Sequence, residues 1–136
     1  MKTLLVGEMN PYGADPAFAL YPLPEHASGG RLARILGLHP REYLRTFDRV
    51  NLCTGKWSMR TARGEANRLN TLQESGRWDH MVLLGRKVCD AFCVRYEPFT
   101  SCGSYLVLPH PSGRCRAWSE AGAAERARAL VLGGSS

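Results

Sequence analysis

A chain of 136 residues that is 44% hydrophobic is expected to form one domain, 1–136, with apolar mass for a single core and no room for a second. Its 18 basic and 12 acidic residues give a net charge of +6, and the basic set is almost all arginine, with lysine only at Lys2, Lys56 and Lys87. Arginine suits phosphate geometry, although a GC-rich genome also raises arginine content, so charge alone leaves nucleic-acid binding open.

The first element is a strand, TLLVGE (3–8). Its apolar run stops at Glu8, too short for a signal-peptide core or a membrane span, so an intracellular, cytoplasmic chain with no membrane partner is expected. Residues 10–30 hold four prolines and read as a long loop, a feature that in a compact domain is usually functional. GGRLARILGL (29–38) follows as a helix, and RVNLC (49–53) as the second strand. Met59, Ala62, Ala66, Leu69 and Leu72 recur at spacings of three and four, which predicts an amphipathic helix over 59–75 covering a sheet. From Arg49 to Arg68 five basic residues face one acid, Glu65, so this stretch is expected to present a positive surface. HMVLLG (80–85) is the third strand, RKVCDAFC (86–93) a helix, YLVLPH (105–110) the fourth strand and AWSEAGAAERARALVL (117–132) the last helix. Strands alternating with helices favour an α/β fold with a parallel sheet.

The five cysteines, Cys53, Cys89, Cys93, Cys102 and Cys115, are odd in number and contain no C-x-x-C pair, which fits reduced thiols. Cys89 and Cys93 fall at i and i+4 on one predicted helix face, a spacing that serves burial as well as ligation, and no metal or other cofactor is expected.

In an open parallel sheet, ligands bind outside the carboxyl ends of the strands, and the polar residues of this chain gather there. The first strand runs into Glu8 and Asn10, the second into Asn51, the third into Gly85, and the fourth into HPSGRCR, 110–116. GEMNPYG near the start and LPHPSGRCR near the end resemble two motifs of the uracil-DNA glycosylase superfamily, and NLC and VLLGRKVCDAF are also similar to the family. Asn10 resembles the mismatch-directed and single-strand-selective branches, Tyr12 the strictly uracil-specific branch, and His110 is shared by several; the chain is shorter than most members. The resemblance implies a three-layer α/β/α sandwich with a central four-stranded parallel sheet. It implies a monomeric, nucleoid-associated enzyme that flips uracil, or a related deaminated pyrimidine, from DNA and hydrolyses its glycosidic bond in base excision repair.

That chemistry needs a group to orient water and a donor for the leaving base. Asn10 can orient water through its amide oxygen, and a neutral His110 can donate to O2 of the pyrimidine; the plainer roles are an Asx turn for Asn10 and a strand-end cap for His110. Glu8 either activates water or fixes the loop. By resemblance Tyr12 stands where a 5-methyl would collide, and Tyr21, with Phe18 as its competitor, offers a stacking surface for the extruded base. Asn51 can donate to O4 and accept from N3–H of uracil, or simply cap a βα loop. Ser112 is placed on a phosphate and Gly113 allows close backbone approach; Arg114 occupies the position where relatives insert a wedge, and Arg116 is a weaker phosphate contact. No lysine lies in either motif, so a lyase step is not expected. The alternatives are an enzyme of the same fold acting on another modified pyrimidine or a nucleotide, and a catalytically silent nucleic-acid-binding module.

Overall fold

The computed structural model describes residues 2–10 and 13–133. Its strands are β1 (Lys2–Asn10), β2 (Phe47–Thr54), β3 (Trp78–Leu84), β4 (Thr100–Cys102) and β5 (Tyr105–Leu108). Its helices are α1 (Ser28–Ile35), α2 (Pro40–Thr46), α3 (Met59–Glu74), α4 (Arg86–Ala91) and α5 (Ala123–Val131), with 3₁₀ turns at Pro16–Phe18 and Arg116–Ser119. Among the described residues no helix is long and apolar enough to cross a membrane.

One sheet runs in the order β2-β1-β3-β5-β4. The first four strands in that order are parallel, and β4 pairs antiparallel with β5. The expected four-stranded, all-parallel sheet is therefore corrected to five strands of mixed direction. Thr100–Cys102 is three residues long and mostly exposed, so no apolar alternation marks it. It becomes a strand because the turn at Gly103–Ser104 folds it back along β5, with Cys102 opposite Tyr105.

Both faces of the sheet are covered, which is why Leu4, Leu5 and Val6 are all buried and β1 reads as an unbroken apolar run. On one face Leu4, Val6, Met81, Leu83 and Val107 pack against Ala62, Ala66 and Leu69 of α3 and Val88 and Cys89 of α4. On the other, Leu5, Val82, Leu84, Leu106 and Leu108 pack against Leu32 and Ala33 of α1, Tyr43 of α2 and Ala127 of α5. The amphipathic helix expected over 59–75 is α3; it starts at Ser58, whose Oγ accepts the Thr61 N–H at 3.3 Å.

Three helix expectations change. Seven-residue α2 was not anticipated: Pro40 opens it, His39 Nδ1 accepts from the Arg41 N–H, and the Glu42 carboxylate accepts from the His39 N–H. The segment 117–132 is a 3₁₀ turn and then α5, with the turn through Glu120–Gly122 between them. Helix α4 ends at Ala91, so Cys93 is exposed beyond the helix while Cys89 is buried within it, and the shared helix face expected for this pair does not form.

The chain leaves β1 for β2 on one side and then returns past β1 to β3 on the other. The strand order reverses between β1 and β3, and the helices after them, α1 and α4, lie on opposite faces. Such a reversal opens a crevice at the carboxyl ends of the two strands.

Candidate active site

A cavity of about 430 Å³ occupies that end of the sheet, within the usual range for a small-molecule site. Glu8, Asn10, Phe18, Tyr21, Asn51 and His110 all line it. Six candidates from four separate stretches of sequence are thus brought together. Ser112, Gly113, Arg114 and Arg116 are not in its lining; they lie on the loop beyond His110, where Ser112 is half-buried and the other three are exposed. Tyr12 falls outside the described residues.

Asn10 is the last residue of β1 and only 5% exposed, a buried amide in an otherwise apolar core. Burial requires a partner, and the Asn51 Nδ2 donates to its Oδ1 at 2.7 Å. The oxygen assigned from sequence to a water is therefore engaged with Asn51. The register sets Gly7 opposite Asn51 and Asn10 opposite Thr54, so the Asn51 side chain reaches along β1 to meet Asn10. It crosses over Gly7, where a Cβ would run into Asn51 Oδ1 and also touch Leu20 at 3.1 Å. Glycine at position 7 is what gives the amide pair its room.

His110 is held from several directions. Its Nδ1 accepts the Ser112 N–H at 3.1 Å, and its carbonyl accepts from Trp118 Nε1 at 2.9 Å. The next carbonyl, Pro111 O, accepts from Arg31 Nε at 3.1 Å. With Nδ1 used as an acceptor, the neutral ring carries its proton on Nε2. That nitrogen faces Glu8 Oε2 across 3.9 Å, longer than a hydrogen bond. Gly85, at φ +94°, lies beneath both groups: a Cβ there would sit 3.2 Å from His110 Cβ and 3.6 Å from Glu8 Oε2.

The loop wall is fixed from behind. The Tyr43 hydroxyl, on a fully buried ring, donates to Leu20 O at 2.8 Å, and Arg49 Nη1 donates to Ala19 O at 2.9 Å. The Arg49 guanidinium also lies 5.6 Å from the centre of the Tyr21 ring, and Phe18 meets that ring edge-on at 5.0 Å. Arg49 therefore turns into the fold, and its Nε is buried without a partner among the described residues. Lys56, Arg60 and Arg63 of the same stretch are exposed, while Arg68 pairs with Glu65. The positive surface expected over 49–68 is narrower than its charge count.

Leu20, Leu23, Ser28 and Gly29 also line the cavity and were not singled out in the sequence. A usable signal existed for Gly29: two consecutive glycines at a helix start mark close packing, and a Cβ on Gly29 would strike the backbone of Leu20 and Tyr21. Tyr43 and Arg49 carried no such signal, since their partners are backbone carbonyls of a distant loop. Among the described residues no group of three or more His, Cys, Asp or Glu is placed to hold a metal ion. No protein-family model matches the chain, and no curated protein matches it.

Proposed function

We propose that this chain is a monofunctional DNA glycosylase that extrudes uracil, or a related deaminated pyrimidine, and hydrolyses its N-glycosidic bond to leave an abasic site. The observation that carries the reading is the facing pair at the cavity, His110 Nε2 opposite Glu8 Oε2 at 3.9 Å, with the tautomer of His110 set by the Ser112 N–H. The helices on both faces are compatible with the three-layer arrangement that the resemblance implies.

In this reading the bond between C1′ and N1 breaks with its electron pair leaving on the base. His110 Nε2–H donates a hydrogen bond to O2, where negative charge develops, and a donor preorganised in this way is worth about 3 to 4 kcal/mol in the barrier. The sugar becomes an oxocarbenium ion and is captured by water whose proton passes to Glu8. Asn10 acts through Asn51: the bond between them holds the Asn51 amide, leaving its second Nδ2 hydrogen for O4 of the base. Tyr21, braced by Arg49 and Phe18, is the stacking surface, and exposed Phe18 forms the rim. Ser112 and Arg116 contact the backbone, Gly113 lets it approach, and Arg114 is the wedge.

The test is a panel of single- and double-stranded oligonucleotides carrying uracil, mismatched thymine and modified pyrimidines, together with free nucleotides. Alkali-labile sites at uracil, with no strand break before alkali, are the expected result. Release of a different base or cleavage of a nucleotide assigns the fold another substrate; binding without release of any base makes the chain a silent binding module.

A further inference from the structure

Arg31 stands on α1, outside the cavity, behind the loop that carries His110. Its Nε bond to Pro111 O fixes the guanidinium, whose Cζ and Nη1 lie 3.3 Å, and Nη2 3.5 Å, from where a Cβ on Gly113 would be. The two terminal nitrogens therefore lie against Gly113, an exposed residue with no side chain of its own. Among the described residues no carboxylate comes within 4.0 Å of the Arg31 guanidinium, and the side chain's one hydrogen bond is that through Nε. A half-buried guanidinium held by one nitrogen keeps four N–H donors for a ligand, in a planar fork that matches the oxygens of a phosphate. Ser112, half-buried, and Arg114, exposed, flank the same point.

We propose that Arg31 binds a backbone phosphate of the nucleic-acid strand, over Gly113, next to the nucleotide whose base enters the cavity. The inference rests on the glycosylase reading only for the nature of the ligand. Because Arg31 grips the carbonyl of the residue that follows His110, occupation of this site by phosphate would also tie the strand directly to the loop that positions the catalytic ring.

The test uses the full chain and uracil-free single-stranded oligonucleotides, with affinity measured over a salt series. Loss of one phosphate contact lowers the slope of log affinity against log salt by about 0.7 on single strands. Arg31→Gln is expected to show that loss. Gly113→Asp, which leaves Arg31 and Pro111 in the chain but sets a carboxylate against the guanidinium, is expected to show at least as much. A set of oligonucleotides each carrying one neutral methylphosphonate locates the contact: one linkage should weaken wild-type binding and make no difference to Arg31→Gln. An Arg31 that only braces the loop would lower affinity or melting temperature with the salt slope and the linkage profile unchanged, and that result overturns the proposal. Unchanged slopes in a protein that still excises uracil would remove Arg31 alone. Changed slopes in a protein that excises nothing would keep Arg31 as a nucleic-acid contact and remove the glycosylase reading. A wild type that binds no oligonucleotide overturns both.

Discussion

The state of His110 follows from one backbone amide. The Ser112 N–H occupies Nδ1, so the ring is held in place and presents a donor to the cavity without needing to be charged, while the Trp118 bond to the His110 carbonyl fixes the main chain that carries it. His110→Ala should lower single-turnover cleavage at least about a hundredfold, with binding to uracil-free DNA changed little, because the lost donor acts on charge present only in the transition state. Comparable cleavage by the two proteins would remove His110 from the mechanism. Asn51→Asp is a sharper test of base reading. It removes the donor to O4 and sets a carboxylate against Asn10 Oδ1, where the wild type has a 2.7 Å hydrogen bond. Uracil activity should fall and a weak activity on unpaired cytosine appear, since a carboxylate accepts from the N4 amine. Full uracil activity without cytosine cleavage, assayed on matched oligonucleotides, would show that Asn51 does not read the base. Glu8, Asn10 and His110 were visible in the sequence because each comes at or just after the end of an apolar run; Asn51, expected at the end of the second strand, lies inside β2, with Leu52 and Cys53 buried beyond it. Arg49 was not visible: in sequence it is one more surface charge, and only the fold turns it under the loop against Tyr21.

At the scale of elements, the loop between β1 and α1 is a wall because α2 and β2 hold it. Tyr43 supplies the grip from a short helix that periodicity did not reveal, and Arg49 the second from β2. Tyr43→Phe removes the donor to Leu20 O and leaves a carbonyl in the fold without its partner. The expected cost is about 1 to 3 kcal/mol in denaturant unfolding, with a rise in KM as Tyr21 loses its fixed position. A variant with unaltered stability and kinetics would show that the loop is held by other contacts. Strand β4 escaped detection for a related reason: three mostly exposed residues have no pattern of their own, and their strand character comes from lying beside β5.

At the scale of the whole molecule, burial links the core to pH. The Cys89 thiol is pushed up to about 11 by burial and by Asp90, with Arg86 pulling the other way. Burial also raises the Tyr43 phenol, against the opposing pull of Arg49, and the Tyr96 and Tyr105 phenols. Each folded pKa lies above its unfolded value, so above about pH 9 the folded chain binds more protons than the unfolded chain, and these groups' contribution to stability is lost as pH rises. It is fully present below that point. Urea midpoints should therefore fall between about pH 9 and 11, and Cys89→Ala should make that fall shallower; a midpoint that holds level to the top of this range would contradict the assignment.

Sequence by itself determined the alternation of strand and helix, the four parallel strands and the amphipathic face of α3, because continuous apolar runs and three-to-four spacings are local properties of a chain that must bury one side. It also located the polar residues at the ends of the first and fourth expected strands, since an apolar run that stops at Glu8 or His110 stops for a reason visible within a few residues. Tertiary structure alone decided the strand order, which leaves β3 alone between β1 and β5 and so sets Glu8 opposite His110, about a hundred residues away in the chain. It alone decided that Asn10 accepts from Asn51, that Arg49 and Tyr43 brace a loop, and that Arg31 reaches Pro111 O beside Gly113. Each of these depends on which side chains meet across the sheet, and a hydrogen bond between distant residues leaves no periodic trace in either segment that forms it.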